Sequence, residues 1–119
     1  MNSICKLKDI YKALHEFEAS FLKQYGITVN EGIILCMLGD GPLKVGDICA
    51  DCSLSNSRLS KVLGSLEQKG YIQRTIDPNG RRVVMVELTP AGIEKRATMS
   101  EEQICIPEAL SKLLENKTI

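Results

Sequence analysis

The side chains best suited to chemistry are short polar and basic groups that cluster in one stretch of the chain. The cluster comprises Ser55, Asn56, Ser57, Arg58, Ser60 and Lys61. Basic side chains bind phosphates and base edges, and short hydroxyl and amide groups let a helix lie close to the floor of a groove. The cluster therefore predicts a face that meets an anionic partner, with an ordinary solvated helix face as the alternative.

Three more arginines, Arg74, Arg81 and Arg82, follow this cluster along the chain. Between Ser55 and Arg82 there are six basic and two acidic residues, whereas the rest of the chain has nine basic and thirteen acidic ones. The net charge of the whole chain is zero. One basic segment on a neutral chain favours a single surface that contacts an anion.

Signatures of the common enzyme classes are missing from the sequence. There is no phosphate-binding glycine loop and no nucleophile elbow, and His15 is the only histidine. We therefore expect no enzymatic activity, no metal and no cofactor.

Hydrophobic residues make up 44% of the 119 residues. The sequence shows no signal peptide and no apolar run long enough for a membrane span. These features predict a cytoplasmic protein without membrane contact.

Hydrophobic periodicity places the polar cluster on the fourth of five predicted helices. The first helix ends near Tyr25, and the next three are predicted at 29–38, 45–52 and 56–69. Ser55 suits the N-cap of the fourth helix, which has an apolar stripe on the side opposite the cluster. The stripe consists of Leu59, Val62, Leu63 and Leu66.

The second predicted helix begins with the spacing of a capping box, in which Thr28 and Glu31 satisfy each other's backbone amides. Apolar residues then cover most of its circumference, which predicts burial on several sides. Cys36 lies within this apolar run, and we expect it to pack in the interior.

After Gly70 the apolar residues recur with a period of about two, which predicts strands at 71–76 and 82–88. The turn Asp77-Pro78-Asn79-Gly80 joins them into a hairpin with Arg81 and Arg82 at its tip. Thr89 and Pro90 start a last helix that runs to about Cys105.

The predicted fold is mainly α with a small β-hairpin wing (α+β), a winged helix-turn-helix. In such a fold the second helix of the motif enters the major groove of DNA, and a basic hairpin tip suits the minor groove.

Residues 28–96 resemble the MarR family of bacterial winged-helix transcription regulators. Four segments carry the resemblance: Val45-Gly46-Asp47-Ile48-Cys49, the stretch SNSRLSKVLGSLEQKG from Ser55 to Gly70, the wing from Arg74 to Arg82, and Leu88-Thr89-Pro90-Ala91-Gly92. The resemblance implies a homodimeric repressor that binds double-stranded DNA. It also implies a single domain, 1–119, with a DNA-binding core at 28–88 and dimerisation helices at 1–26 and 89–119.

The resemblance assigns the six residues of the cluster to the major groove, and Arg81 and Arg82 to the minor groove. Arg74 is assigned to a phosphate contact or a salt bridge at the base of the wing. The chain departs from the family at Gly80, where members usually carry aspartate, and in being shorter, mainly after Pro107. A looser wing and a smaller dimer interface are the expected consequences.

Two rival interpretations concern the class of partner and the mode of regulation. One is a winged-helix module that binds protein and not DNA. The other is a thiol-based redox-sensing regulator that uses Cys5, which lies at the start of the first helix beside Lys6, a setting that favours a reactive thiol. An unreactive terminal thiol is the alternative to the second interpretation.

The other cysteines and the aromatic residues leave further alternatives. Cys49 and Cys52 form a C-x-x-C pair, which fits core filling or a thiol switch but supplies too few ligands for a structural zinc site. Family members bind small aromatic effectors in a cleft between the dimer helices and the winged helix. A small-molecule effector here would meet the aromatic side chains of the first helix, which fit core or dimer contacts equally well: Tyr11, Phe17, Phe21 and Tyr25.

Overall fold

A computed structural model describes residues 3–76 and 83–101 of the chain. Two compact units are distinguished, and the boundary between them lies between Val29 and Asn30. The described part of the first unit is a long helix and the short segment that follows it. The described part of the second unit extends from Asn30 to Glu101 and contains the helix-turn-helix and the sheet.

The first unit is dominated by helix α1, Ser3–Tyr25. Three of its aromatic rings contact one another along one side, tilted by about 48°, with centroids 5.8 Å apart for Phe17 and Phe21 and 4.8 Å apart for Phe21 and Tyr25. This spacing follows from side chains four residues apart lying on the same face of a helix. The helix ends at Gly26, whose φ of +73° is the left-handed conformation that glycine adopts most readily.

The second unit contains four helices among its described residues. They are α2 (Val29–Met37, which begins one residue before the boundary), α3 (Val45–Cys52), α4 (Asn56–Gln68) and α5 (Pro90–Glu101). A 3-10 turn, Leu38–Asp40, continues α2. The core of the unit includes Ile34, Leu35 and Ile48, all fully buried. The helices predicted from periodicity are confirmed, although the predicted end of α5 near Cys105 lies outside the described residues.

The sheet has three antiparallel strands in the order β1-β3-β2. Strands β2 (Ile72–Ile76) and β3 (Val84–Leu88) form the predicted hairpin, with Ile72 opposite Leu88 and Ile76 opposite Val84. Strand β1 (Leu43–Lys44) was not predicted, because two residues are too few to show a period of two. It pairs with Val86 and Met85 of β3 just before α3 begins, so the sheet is tied directly to the helix-turn-helix.

One sequence expectation about α2 is wrong. Cys36 is exposed rather than packed, and the neighbouring Ile33 is 45% exposed. Hydropathy shows that most of α2 is apolar but not which side meets the core. That side is marked by Gly32, Ile34 and Leu35, which are buried.

Within the described ranges, no helix combines the length and the apolar character that a membrane crossing requires.

Candidate nucleic-acid interface

Helix α4 begins with the cap that its sequence predicts. Ser55 has an extended backbone, with φ of −67° and ψ of 160°, and its Oγ accepts a hydrogen bond from the backbone N–H of Arg58 at 3.2 Å. This bond satisfies one of the donors that a helix leaves unpaired at its start. The first turn of α4, which carries half of the predicted cluster, is therefore held by a local contact.

The two faces of α4 differ as the sequence predicts. Leu59, Leu63 and Leu66 are buried, with 0 to 2% of each residue exposed. The polar face, defined as Asn56, Ser57, Arg58, Ser60 and Lys61, is exposed at every position. Because the apolar stripe packs in the core, the polar face is turned towards solvent in the isolated chain.

The side chain of Asn56 is held by the preceding helix. Cys49 Sγ lies 2.9 Å from Asn56 Oδ1, and it lies 3.8 Å from the carbonyl oxygen of Leu54. The single S–H of Cys49 is shared between these two acceptors, and it links the second half of α3 to the start of α4. Cys49 is half-buried, so it serves neither as pure core filling nor as an open surface thiol.

Arg74 on β2 lies beside the second half of α4. Its Nε is 3.3 Å from Glu67 Oε1, and its Nη2 is 3.9 Å from the position that a Cβ on Gly64 would occupy. Of the two roles predicted for Arg74, the structure shows the salt bridge. The bridge joins the first strand of the hairpin to α4, and the guanidinium lies beside Gly64.

Sequence analysis missed a second contact that holds α4. The carboxylate of Glu31 on α2 is buried and accepts hydrogen bonds from Ser65 Oγ at 2.6 Å and from Lys69 Nζ at 2.9 and 3.1 Å. The capping-box spacing explained Glu31 locally, and so it gave no reason to seek a distant partner. The available signal was an acidic residue at the start of an apolar helix, together with a serine and a lysine four residues apart at the end of α4.

The remaining predicted site residues fall into two groups. Arg81 and Arg82 lie outside the described residues. Cys5 lies in the first turn of α1 and is exposed, and its redox role stays a prediction. The described part of the site thus combines hydroxyl, amide and cationic groups on α4 with one arginine from β2. Such a set binds anions and base edges by hydrogen bonding and charge.

Comparisons with known proteins agree with this geometry. A model of the MarR family matches residues 25–83. The transcriptional regulator SarZ of Staphylococcus saprophyticus is 29% identical over 82 residues, which are 68% of this chain and 56% of that protein. The regulator YwhA of Bacillus subtilis is 27% identical over 81 residues, 68% of this chain and 58% of its own length. The matched segment thus spans little more than half the length of these curated relatives.

Solved structures show the same fold over nearly the whole chain. Reduced AbfR bound to DNA superposes with a TM-score of 0.76 and 25% identity, covering 98% of this chain and 86% of AbfR. MepR of S. aureus in its DNA-binding conformation gives a TM-score of 0.75 at 21% identity, covering 100% and 86% of the two chains. The matched family and the curated relatives are regulators rather than enzymes, in agreement with the prediction of no enzymatic activity. By sequence and by fold, this chain belongs to the MarR family of winged-helix proteins.

Proposed function

We propose that this chain is a transcriptional regulator, acting as a repressor, that binds double-stranded DNA sequence-specifically as a homodimer. Helix α4 enters the major groove, and the wing between β2 and β3 contacts the minor groove. The observation that carries the proposal is the polar face of α4, which is exposed while the opposite face is buried. The relatives support it, because they are named transcriptional regulators and AbfR was solved bound to DNA.

The proposal is tested by fluorescence anisotropy of the full chain under reducing conditions. The probes are a duplex selected by the protein from a random-sequence pool and a scrambled duplex of the same composition, each titrated at several salt concentrations. Sequence-specific binding gives tighter affinity for the selected duplex and a steep fall of affinity with salt. Failure to bind either duplex, together with capture of a defined protein, would favour the interaction-module interpretation.

A wing that enters the minor groove predicts a specific effect of Arg82→Ala. We expect affinity to fall by a similar factor for most DNA sequences. The slope of log affinity against log salt concentration should decrease by about one, because one cationic contact to the DNA backbone is lost. Anisotropy at several salt concentrations measures both quantities. Arg82→Lys keeps the charge and should keep the slope. An unchanged slope and affinity in Arg82→Ala would contradict the assignment of the wing.

The homodimer is supported by the exposed apolar residues of α1. Ile4, Leu7, Tyr11 and Leu14 recur at spacings of three and four and so lie on one side of the helix. All four are exposed, Ile4 and Tyr11 by 71% and 70%. Exposed apolar surface that is contiguous marks a site of protein association, and the partner that the resemblance implies is a second copy of the chain.

Light scattering is expected to give twice the chain mass of 13.1 kDa. Leu7→Glu places a charge on the apolar side of α1 and should shift the protein towards the monomer, because burying an unpaired carboxylate is costly. The control is Ser20→Glu, which adds the same charge at an exposed position on the opposite side of α1. A Leu7→Glu variant that stays as dimeric as the control would place the interface elsewhere.

A further inference from the structure

The buried carboxylate of Glu31 joins α2 to the second half of α4. Its side chain is 3% exposed, whereas that of Lys69 is 38% exposed. Ser65 lies in the last turn of α4, and Lys69, four residues later, caps the end of the helix on the same side. Glu31 therefore holds the last turn of α4 and its C-cap.

Stability alone does not explain this arrangement. Removing the Glu31 carboxylate from water is costly, and replacement of a buried ion pair by apolar residues of similar volume is often neutral or stabilising. Contacts of Leu59, Leu63 and Leu66 hold α4 in the core but are not directional. Hydrogen bonds to a carboxylate are directional, so the bonds to Glu31 constrain the rotation of α4 about its own axis.

A constraint on the rotation of α4 also fixes the direction of the polar face, because α4 is a single rigid helix. Arg58 precedes Ser65 by seven residues, which is two turns, and so lies on the same side of α4. A rotation of α4 by ~10° would move a guanidinium that lies ~8 Å from the helix axis by roughly 1.4 Å. A shift of that size disturbs a hydrogen bond to a base edge, which requires a donor–acceptor distance near 2.9 Å.

We propose that Glu31 is a positioning residue that sets the rotation of α4 and thereby the sequence preference of the protein, through Ser65 and Lys69. The inference rests on the proposed function. It adds that part of the specificity resides in a buried contact near the end of α4, two turns beyond the residues that face the groove. Non-specific affinity, which depends on charge near phosphates, is not set by this contact.

The test uses the full chain with the three polar partners replaced together, as Glu31→Met, Ser65→Ala and Lys69→Met. The net charge of the chain is unchanged, and urea unfolding is expected to show stability equal to or above that of the wild type. The ratio of affinities for the selected and scrambled duplexes is expected to fall about tenfold, the discrimination carried by roughly one base pair. Lys69→Arg keeps the ion pair and should keep the ratio. Glu94→Gln removes an exposed carboxylate from α5. It is the control for the loss of an acidic group and should keep the wild-type ratio of affinities.

The outcomes separate this inference from the proposed function. A stable triple variant with the wild-type ratio would overturn the inference alone. A wild-type protein without any preference between the duplexes would overturn the proposed function, and the inference with it. If the triple variant does not fold, the affinity ratio of the single variant Lys69→Met tests the inference. Its control is Lys12→Met on α1, which removes the same charge at an exposed position elsewhere. A ratio that falls only in Lys69→Met supports the inference, and equal ratios in the two variants overturn it.

Discussion

Gly92→Ala is expected to destabilise the protein by about 3 kcal/mol. A Cβ at this position would overlap the carbonyl oxygen of Tyr71 and would lie 3.0 Å from its carbonyl carbon and 3.2 Å from Leu88 Cδ2. The Tyr71 carbonyl is not free to withdraw, because it accepts a hydrogen bond from the backbone N–H of Thr89 at 3.0 Å. Overpacking costs up to about 3 kcal/mol and a lost hydrogen bond about 1 kcal/mol, while alanine regains about 1 kcal/mol of helix propensity.

Urea unfolding followed by circular dichroism measures this change. The matched control is Gly46→Ala, near the start of α3, where an added Cβ would meet nothing within 4 Å. The control should be neutral or stabilising by up to about 1 kcal/mol. If the two variants unfolded at the same urea concentration, the packing of α5 against Tyr71 would be looser than the structure shows.

The contact at Gly92 belongs to a junction that sequence reasoning recovered only in part. Thr89 was predicted to cap α5, and its Oγ1 accepts a hydrogen bond from the Gly92 N–H at 3.1 Å. The same hydroxyl donates to the carbonyl oxygen of Gly70 at 2.5 Å. The cap is a local pattern of four residues, whereas the bond to Gly70 depends on how the hairpin returns to the end of α4. Local patterns do not encode that return.

Helix α4 was predictable because all the signals that define it lie within 16 residues of sequence. The serine cap, the leucine spacing and Gly70 after its end each have a local physical cause. Together they identify both the helix and its exposed face. The partners that orient it are distant in sequence: Glu31 lies 34 residues before Ser65. A single sequence shows that such residues are polar but not which groups they meet.

Cys36 and strand β1 show two other limits. The sequence shows that apolar residues cover almost the whole circumference of α2. Which side faces solvent is decided by the packing of Ile34 and Leu35 in the core. Strand β1 exists because β3 offers a partner for Leu43 and Lys44, and two residues carry no periodic signal of their own. In both cases the tertiary context decides what the local sequence leaves open.

Arg58→Ala is expected to relax sequence preference while leaving the fold intact. Arg58 is the third residue of α4, and its side chain is exposed. An arginine that contacts a base edge with two hydrogen bonds contributes about 1–3 kcal/mol of discrimination, so the preference for the selected duplex should fall by roughly 5- to 150-fold. Stability should not fall, because the cap uses the backbone N–H of Arg58, which alanine retains.

The measurement is anisotropy against the selected duplex and a series with single base-pair changes. Arg58→Lys separates charge from geometry, because lysine keeps the charge but lacks the planar fork that makes two parallel bonds. We expect the lysine variant to keep most of the salt dependence and to lose most of the preference at one base pair. Lys12→Ala, at an exposed position of α1, controls for the loss of a positive charge. If Arg58→Ala weakened all duplexes equally, Arg58 would contact phosphate, and base reading would fall to Asn56 and Lys61.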